Sequence, residues 1–281
     1  MESLVSTRWL AARLDDPDLV ILDASSHLPT AQRNAAAEFT EAHIPGARFL
    51  DLSRLIDPES PVPAALPRPD QLAERLTRLG VSETSRIVIY DDSDVKTSAR
   101  AWFILRHNGA RDVAILDGGL AKWRAEDRLL EHGYNEGGGG QFTPSQGPGE
   151  VRSKAEILVN CTSQSEQVLD ARDSGRFSGI TPDFRGNIPS GHIPGSHNLP
   201  FNFLYREDGT FKSTDTIRAM FEQAGIDLSK PLITTCGSGV TAAVLLFAAH
   251  LLGKDDVALY DGSWSEWAAD PETPKATGPA E

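Results

Sequence analysis

Cys236 is one of only two cysteines in the chain, and its neighbours suit it to covalent chemistry. It follows the β-type run "LITT" and precedes Gly237, Ser238, Gly239, Val240 and Thr241, after which an apolar stretch continues to Gly253. The thiolate is the nucleophilic form, and an ordinary cysteine holds little of it at neutral pH. Glycines at 237 and 239 permit backbone angles that gather several N–H groups around one point. A helix beginning near Val240 adds its unpaired N–H groups and partial positive charge. This setting is expected to lower the pKa of Cys236 and to hold an anion at its sulfur. A lone cysteine can equally be a small buried residue. The Gly-Ser-Gly run at a strand-to-helix turn favours the reactive reading here, whereas Cys161 lacks that setting and reads as structural.

Cysteine-dependent phosphatases use a similar loop, with an arginine six positions on that grips phosphate in two parallel bonds. That position is Ala242, which disfavours phosphate and points to a less charged ligand. Arg176 and Arg185 stand in the Gly/Pro-rich stretch "DSGRFSGITPDFRGNIPSGHIPG". Taken alone they read as solvated surface arginines. Their planar forks would also suit a carboxylate.

The elements that must position these residues occur twice. "VILDAS" (20–25) resembles "QVLDAR" (167–172), and "AHIPGARFLDL" (42–52) resembles "GHIPGSHNLPF" (191–201). "RIVIYDDSDVKTSARAW" (86–102) resembles "PLITTCGSGVTAAVLLF" (231–247), and "AILDGGLAKW" (114–123) resembles "ALYDGSWSEW" (258–267). The order is the same and the offset nearly constant, as in a duplicated domain. We expect one copy over 1–135, an exposed Gly/Pro-rich linker over 136–150, and a second copy over 151–281. In the second copy "QVLDA", "PLITT" and "VALYD" read as strands. "STDTIRAMFEQAG" places Ile217, Met220, Phe221 and Ala224 on one helical face, with Thr214 capping its start and Gly225 ending it. Alternating short apolar strands and helices predict an α/β fold, each copy a mostly parallel sheet with helices on both faces. Cys236 then lies beyond the carboxyl end of a strand, where such sheets bind ligands. In the first copy Asp91 takes its place. A carboxylate cannot act as the nucleophilic thiolate does, so that copy is expected to be silent. The "HIPG" segments read as tight turns, with His43 and His192 serving the fold.

Composition narrows the function. The chain has 281 residues, 40% of them hydrophobic and 24% charged, and a net charge of −13, which speaks against a nucleic-acid surface. Two cysteines are too few for a disulfide framework and suggest a reducing, cytoplasmic setting. The longest apolar run, near 244–252, is too short to span a bilayer, and the opening residues lack the apolar core of a secretory signal.

Paired copies, "HIPGA"/"HIPGS", "CGSGVTA" and "YDGSWSEW" together resemble the rhodanese-type sulfurtransferases over nearly the whole chain. The neutral "CGSGVTA" loop is similar to that of the branch using 3-mercaptopyruvate; the thiosulfate branch typically carries basic residues at the positions of Gly237 and Ser238. The physics agrees, since thiosulfate is a dianion, whereas mercaptopyruvate carries its charge on a carboxylate remote from the sulfur. The resemblance implies that Cys236 takes sulfur as a persulfide and releases pyruvate. It implies further that Gly237, Gly239, Val240, Thr241 and Ser238 line the sulfur site and that Arg176 and Arg185 bind the donor's oxygens. No metal or organic cofactor is needed. A thiol such as thioredoxin or a small thiol, or cyanide, would collect the sulfur. Members of that branch often pair the loop serine with a histidine and an upstream aspartate. Asp57 matches the aspartate, but Ala64 stands at the histidine position, so the relay is incomplete. The other readings are a thiosulfate sulfurtransferase and a low-turnover persulfide carrier or redox-sensing module.

Overall fold

The computed structural model describes residues 1–135, 137–185 and 188–280. The first copy runs β1 (Leu4–Val5), α1 (Thr7–Ala11), β2 (Leu19–Asp23), α2 (Ala35–Glu41), β3 (Arg48–Phe49), α3 (Pro69–Arg78), β4 (Arg86–Tyr90), α4 (Ser98–His107), β5 (Asp112–Leu116), α5 (Gly119–Ala125). The second repeats the series as β6 (Glu150–Arg152), α6 (Lys154–Ser163), β7 (Gln167–Asp170), α7 (Ser174–Ser178), β8 (Ser196–Asn198), α8 (Thr214–Gln223), β9 (Leu232–Thr235), α9 (Ala242–Leu251), β10 (Val257–Tyr260), α10 (Ser263–Ala269). The sheets have strand orders β1-β5-β4-β2-β3 and β6-β10-β9-β7-β8, the same topology twice. Every pairing in both is parallel. The α/β alternation expected from the sequence is thus present in both copies.

The chain divides into two compact units, each built from three segments: 1–57, 66–148 and 206–211 in unit 1, and 58–65, 149–205 and 212–281 in unit 2. The short segments 58–65 and 206–211 occupy corresponding places, each between the third strand of a copy and the helix that follows. Within unit 1, the Phe211 N–H donates to the Asp117 carboxylate at 2.8 Å, and Lys122 pairs with Asp208 at 3.1 Å.

The glycine-rich stretch is largely exposed, as expected, but it is not a slack tether. Glu136, the first residue of the expected linker, and Glu281 lie outside the described residues. Residues 137–148 belong to unit 1, Phe142 is buried, and the Gly147 N–H donates to the His107 carbonyl at 2.9 Å. A β-carbon at Gly140 would lie 2.3 Å from the Val81 carbonyl oxygen. Glycine is there for close backbone approach rather than for slack.

In unit 2 the central strand β9 is buried along its length, and α9 buries Ala242 through Ala249. That burial explains why the stretch is apolar nearly all round. Two sequence-based boundaries shift. Helix α9 starts at Ala242 rather than near Val240. Ser213, not Thr214, caps α8, because Ser213 is extended and its hydroxyl accepts from the Thr216 N–H. Gly225 follows the last turn at φ +87°.

The histidines of the two "HIPG" turns serve the fold. His43 and His192 are buried, stack on Phe39 and Phe177, and bond through Nδ1 to the carbonyls of those same residues at 2.8 and 2.9 Å.

Candidate active site

Cys236 follows β9 directly and its side chain is buried. The loop from 236 to 241 is held by the first turn of α10. Ser263 Oγ accepts from the N–H of Cys236 at 3.2 Å and of Gly239 at 3.0 Å, and donates to the Tyr260 carbonyl at 2.8 Å. The Trp264 N–H donates to the Cys236 carbonyl at 3.0 Å. The Ser265 N–H and hydroxyl both donate to the Gly237 carbonyl, at 3.0 and 2.5 Å. The anion cradle is therefore smaller than the sequence suggests, because two of its N–H groups are already committed to Ser263. Among the described residues, nothing accepts from the N–H groups of Gly237, Ser238, Val240 and Thr241. These four, with the positive end of the ten-residue helix α9, remain for a ligand at the sulfur. Ser238 is half-buried, and its hydroxyl has no partner among the described residues.

The two glycines do different work. Gly239 has φ +74°, which a side chain would strain. Gly237 has no such angle. A β-carbon there would lie 2.4 Å from Nη2 of Arg185. Glycine at 237 is what lets the guanidinium lie against the cysteine loop.

Arg185 is held from behind by Asp183, whose side chain is 0% exposed. The Arg185 N–H reaches Asp183 Oδ1 at 3.0 Å, and Nη1 reaches both carboxylate oxygens, at 3.1 and 3.2 Å. Arg176 leaves the short helix α7, which Asp173 caps by accepting from the Arg176 N–H at 2.9 Å. Arg176 Nε donates to the same Asp173 carboxylate, and its Nη1 lies 4.0 Å from Asp183. The Phe184 ring lies under both guanidinium groups, 5.2 Å from that of Arg176 and 4.5 Å from that of Arg185. Nη2 of each arginine and Nε of Arg185 have no acceptor among the described residues. The site thus presents a buried thiol, unspent loop N–H groups and the Arg185 guanidinium against the loop, with that of Arg176 beside Asp183.

Arg172 is buried beside the loop, paired with Asp170 at 2.5 Å and lying 4.6 Å over the ring of Trp264. Through Trp264, whose N–H holds the Cys236 carbonyl, it positions the loop. Sequence reasoning missed Ser263, Ser265, Asp183 and Arg172. A signal for three of them was available in the repeat, where the first copy has Gly119, Ala121 and Ser25 at the matching positions. Gly119 has φ +56° and Ser263 φ +50°. A serine there bears an angle that disfavours any side chain, and its hydroxyl makes the three bonds that keep it.

Asp57 belongs to unit 1, where Arg68 holds its carboxylate at 2.8 Å. Ala64 belongs to unit 2 and has φ +57°. Asp91, at the place of Cys236, accepts from the N–H of Ser98 at 2.5 Å and of Ser93 at 3.3 Å. The first copy's loop is filled by its own carboxylate, whose pKa burial pushes up. Cys161 is half-buried against the core, and burial pushes its thiol up, away from the reactive form. Among the described residues, no helix is long and apolar enough to cross a membrane.

Two copies of one parallel sheet, one presenting a cysteine where the other presents a carboxylate, define a tandem rhodanese architecture. The model of the rhodanese-like domain matches residues 6–126 and 153–270, and the chain belongs to that family. It is 41% identical over 271 residues to the 3-mercaptopyruvate sulfurtransferase of Escherichia coli (strain K12), with 96% of each chain covered. Identity to the 3-mercaptopyruvate sulfurtransferase of Homo sapiens is 42%, covering 94% of this chain and 91% of that one. Identity to the thiosulfate sulfurtransferase of Bos taurus is 39% over 280 residues. The crystal structure of SseA from Escherichia coli matches with TM-score 0.86 at 40% identity, over 95% of this chain and all of that one. The protein is an enzyme of the sulfurtransferase class.

Proposed function

We propose that the chain moves sulfur from 3-mercaptopyruvate to a thiol acceptor through a persulfide on Cys236, releasing pyruvate. The observation that carries this reading is the Arg185 guanidinium lying against Gly237, one residue from the thiol. A short keto acid with its sulfur at Cys236 would offer its carboxylate to that group, and Arg176, which shares Asp183 and the Phe184 ring with it, would bind the donor's remaining oxygens. The loop itself holds no cation that would favour a dianion, since Gly237 and Ser238 are neutral.

The thiolate of Cys236 attacks the donor's sulfur. An S–S bond forms as the C–S bond breaks, and the bonding electron pair leaves on carbon as the enolate of pyruvate. The proton of the donor thiol ends on that carbon, giving pyruvate and an ionised persulfide. The N–H groups of Gly237, Ser238, Val240 and Thr241, with the Ser238 hydroxyl, stabilise the sulfur anion. Attack on the outer sulfur by an acceptor thiol then makes an acceptor persulfide and restores Cys236. Thioredoxin and small thiols both suit that step. Asp57 is given no part in proton transfer, because its carboxylate is engaged by Arg68.

The deciding experiment is kcat/KM for mercaptopyruvate and for thiosulfate. Mercaptopyruvate is expected to be preferred, and Arg176→Ala and Arg185→Ala each to lose roughly ten- to a hundredfold with it, the size expected for one charged hydrogen-bond partner. Preference for thiosulfate would overturn the donor assignment. A single turnover without steady-state pyruvate release would favour a persulfide carrier.

A further inference from the structure

Among the described residues Asp183 is the one buried carboxylate shared by the two arginines, and the reaction outlined above gives it no role. Among the described residues it meets the Arg185 guanidinium through Nη1 alone, at 3.1 and 3.2 Å. That leaves the Nε–Nη2 edge of the fork for another two-oxygen partner, with Nη2 beside Gly237. The same carboxylate lies 4.0 Å from Nη1 of Arg176, whose Nε is taken by Asp173. Two guanidinium charges are therefore matched by the charges of Asp173 and Asp183 before any ligand arrives. Asp183, fully enclosed, cannot swing into solvent to relieve a second negative charge. A ligand with one carboxylate meets the unspent edge of Arg185, the Nη2 of Arg176 and a balanced field. A dianion meets the same donors but adds repulsion from Asp183 that water does not screen.

We propose that Asp183 is a positioning residue that sets the charge of the accepted donor, turning Arg185 toward the cysteine loop while offsetting the arginine pair so that a monocarboxylate is favoured over a dianion. The inference rests on the donor reading above. It adds a determinant of selectivity outside the loop, in a side chain that touches neither sulfur nor donor.

The test compares Asp183→Asn and Asp183→Glu with the wild-type enzyme, using mercaptopyruvate and thiosulfate. Asp183→Asn keeps the size and loses the charge. Its mercaptopyruvate KM should rise while its thiosulfate kcat/KM improves, moving the ratio of the two specificity constants about tenfold or more toward thiosulfate. Asp183→Glu, with charge restored, should return the ratio most of the way. A merely structural role would lower both constants together and leave their ratio within twofold, which would overturn the proposal. Should Asp183→Asn not fold, inhibition of the wild-type enzyme decides: pyruvate should inhibit at lower concentration than sulfate, and the reverse order would overturn it. The donor reading fails separately, if the wild type ignores mercaptopyruvate or Arg185→Ala is unimpaired.

Discussion

At the scale of single residues, the chemistry was more legible than its supports. Cys236 and its glycines stand out by type and spacing, and so do Arg176 and Arg185 once a carboxylate is considered. Asp183 and Ser263 do not, because each acts by holding something else, and sequence spacing carries no record of which buried group faces which. The reason for Gly237 was likewise invisible, since the guanidinium that needs the space lies 52 positions away in sequence. Two outcomes are expected here. Cys236→Ser should abolish transfer with the fold intact; incubation with donor should add about 32 Da, one sulfur, to the wild type and nothing to the variant. Sulfur found on Cys161 would reverse that assignment. Ser263→Ala keeps the strained angle and removes the acceptor for two N–H groups. Each donor left without a partner costs about 1–3 kcal/mol, so both the melting temperature and kcat should fall. Wild-type melting and turnover in this variant would mean that Ser263 does not hold the loop.

At the scale of elements, the strand-loop-helix unit β9–α9 was legible because its periodicity is strong and its burial nearly complete. Boundaries were less so. The cap of α8 depends on which of two adjacent hydroxyl residues is extended, and Ser213 and Thr214 are both good caps by type. The glycine-rich stretch shows the same limit: a run of glycines permits looseness and close approach alike, and only the neighbouring backbone decides. The same distinction yields a prediction. Gly239→Ala places a side chain at φ +74° in the loop, at a cost of about 1 kcal/mol or more, and should displace the unspent N–H groups beside it. Ser213→Ala removes the α8 cap at a similar cost of about 1 kcal/mol and leaves the loop alone. The two variants should lose comparable stability in denaturant titrations, but only Gly239→Ala should lose most of its kcat. Equal turnover in both would show that loop geometry is not limiting.

At the scale of the molecule, duplication was plain in the sequence, and the structure adds how far the copies have diverged. Asp170 in the second has the guanidinium of Arg172 beside it. Asp23, its counterpart in the first, has Ser25 instead, whose N–H reaches Oδ1 at 2.8 Å. Burial consequently pushes Asp23 from the ordinary 3.8 to about 6. A raised carboxyl pKa means the folded chain binds more protons than the unfolded one between those values. Stability is therefore greatest below about pH 4 as far as this group is concerned, falls as pH rises through about 6, and is lower by roughly 3 kcal/mol beyond it. Asp23→Asn should raise the melting temperature near pH 8 and do little near pH 4. A gain of equal size at both would remove Asp23 as the cause.

The segment 206–211 that completes unit 1 has a consequence in time. A ribosome making this chain finishes residue 148 well before residue 206 exists, 58 positions later. At about 5–20 residues per second the interval is roughly 3–12 s. Throughout it the N-terminal copy waits without the strip that meets Asp117 and Lys122, and the nascent chain cannot mature strictly from front to back. Its first copy is begun first and closed only when nearly half of the second has been translated.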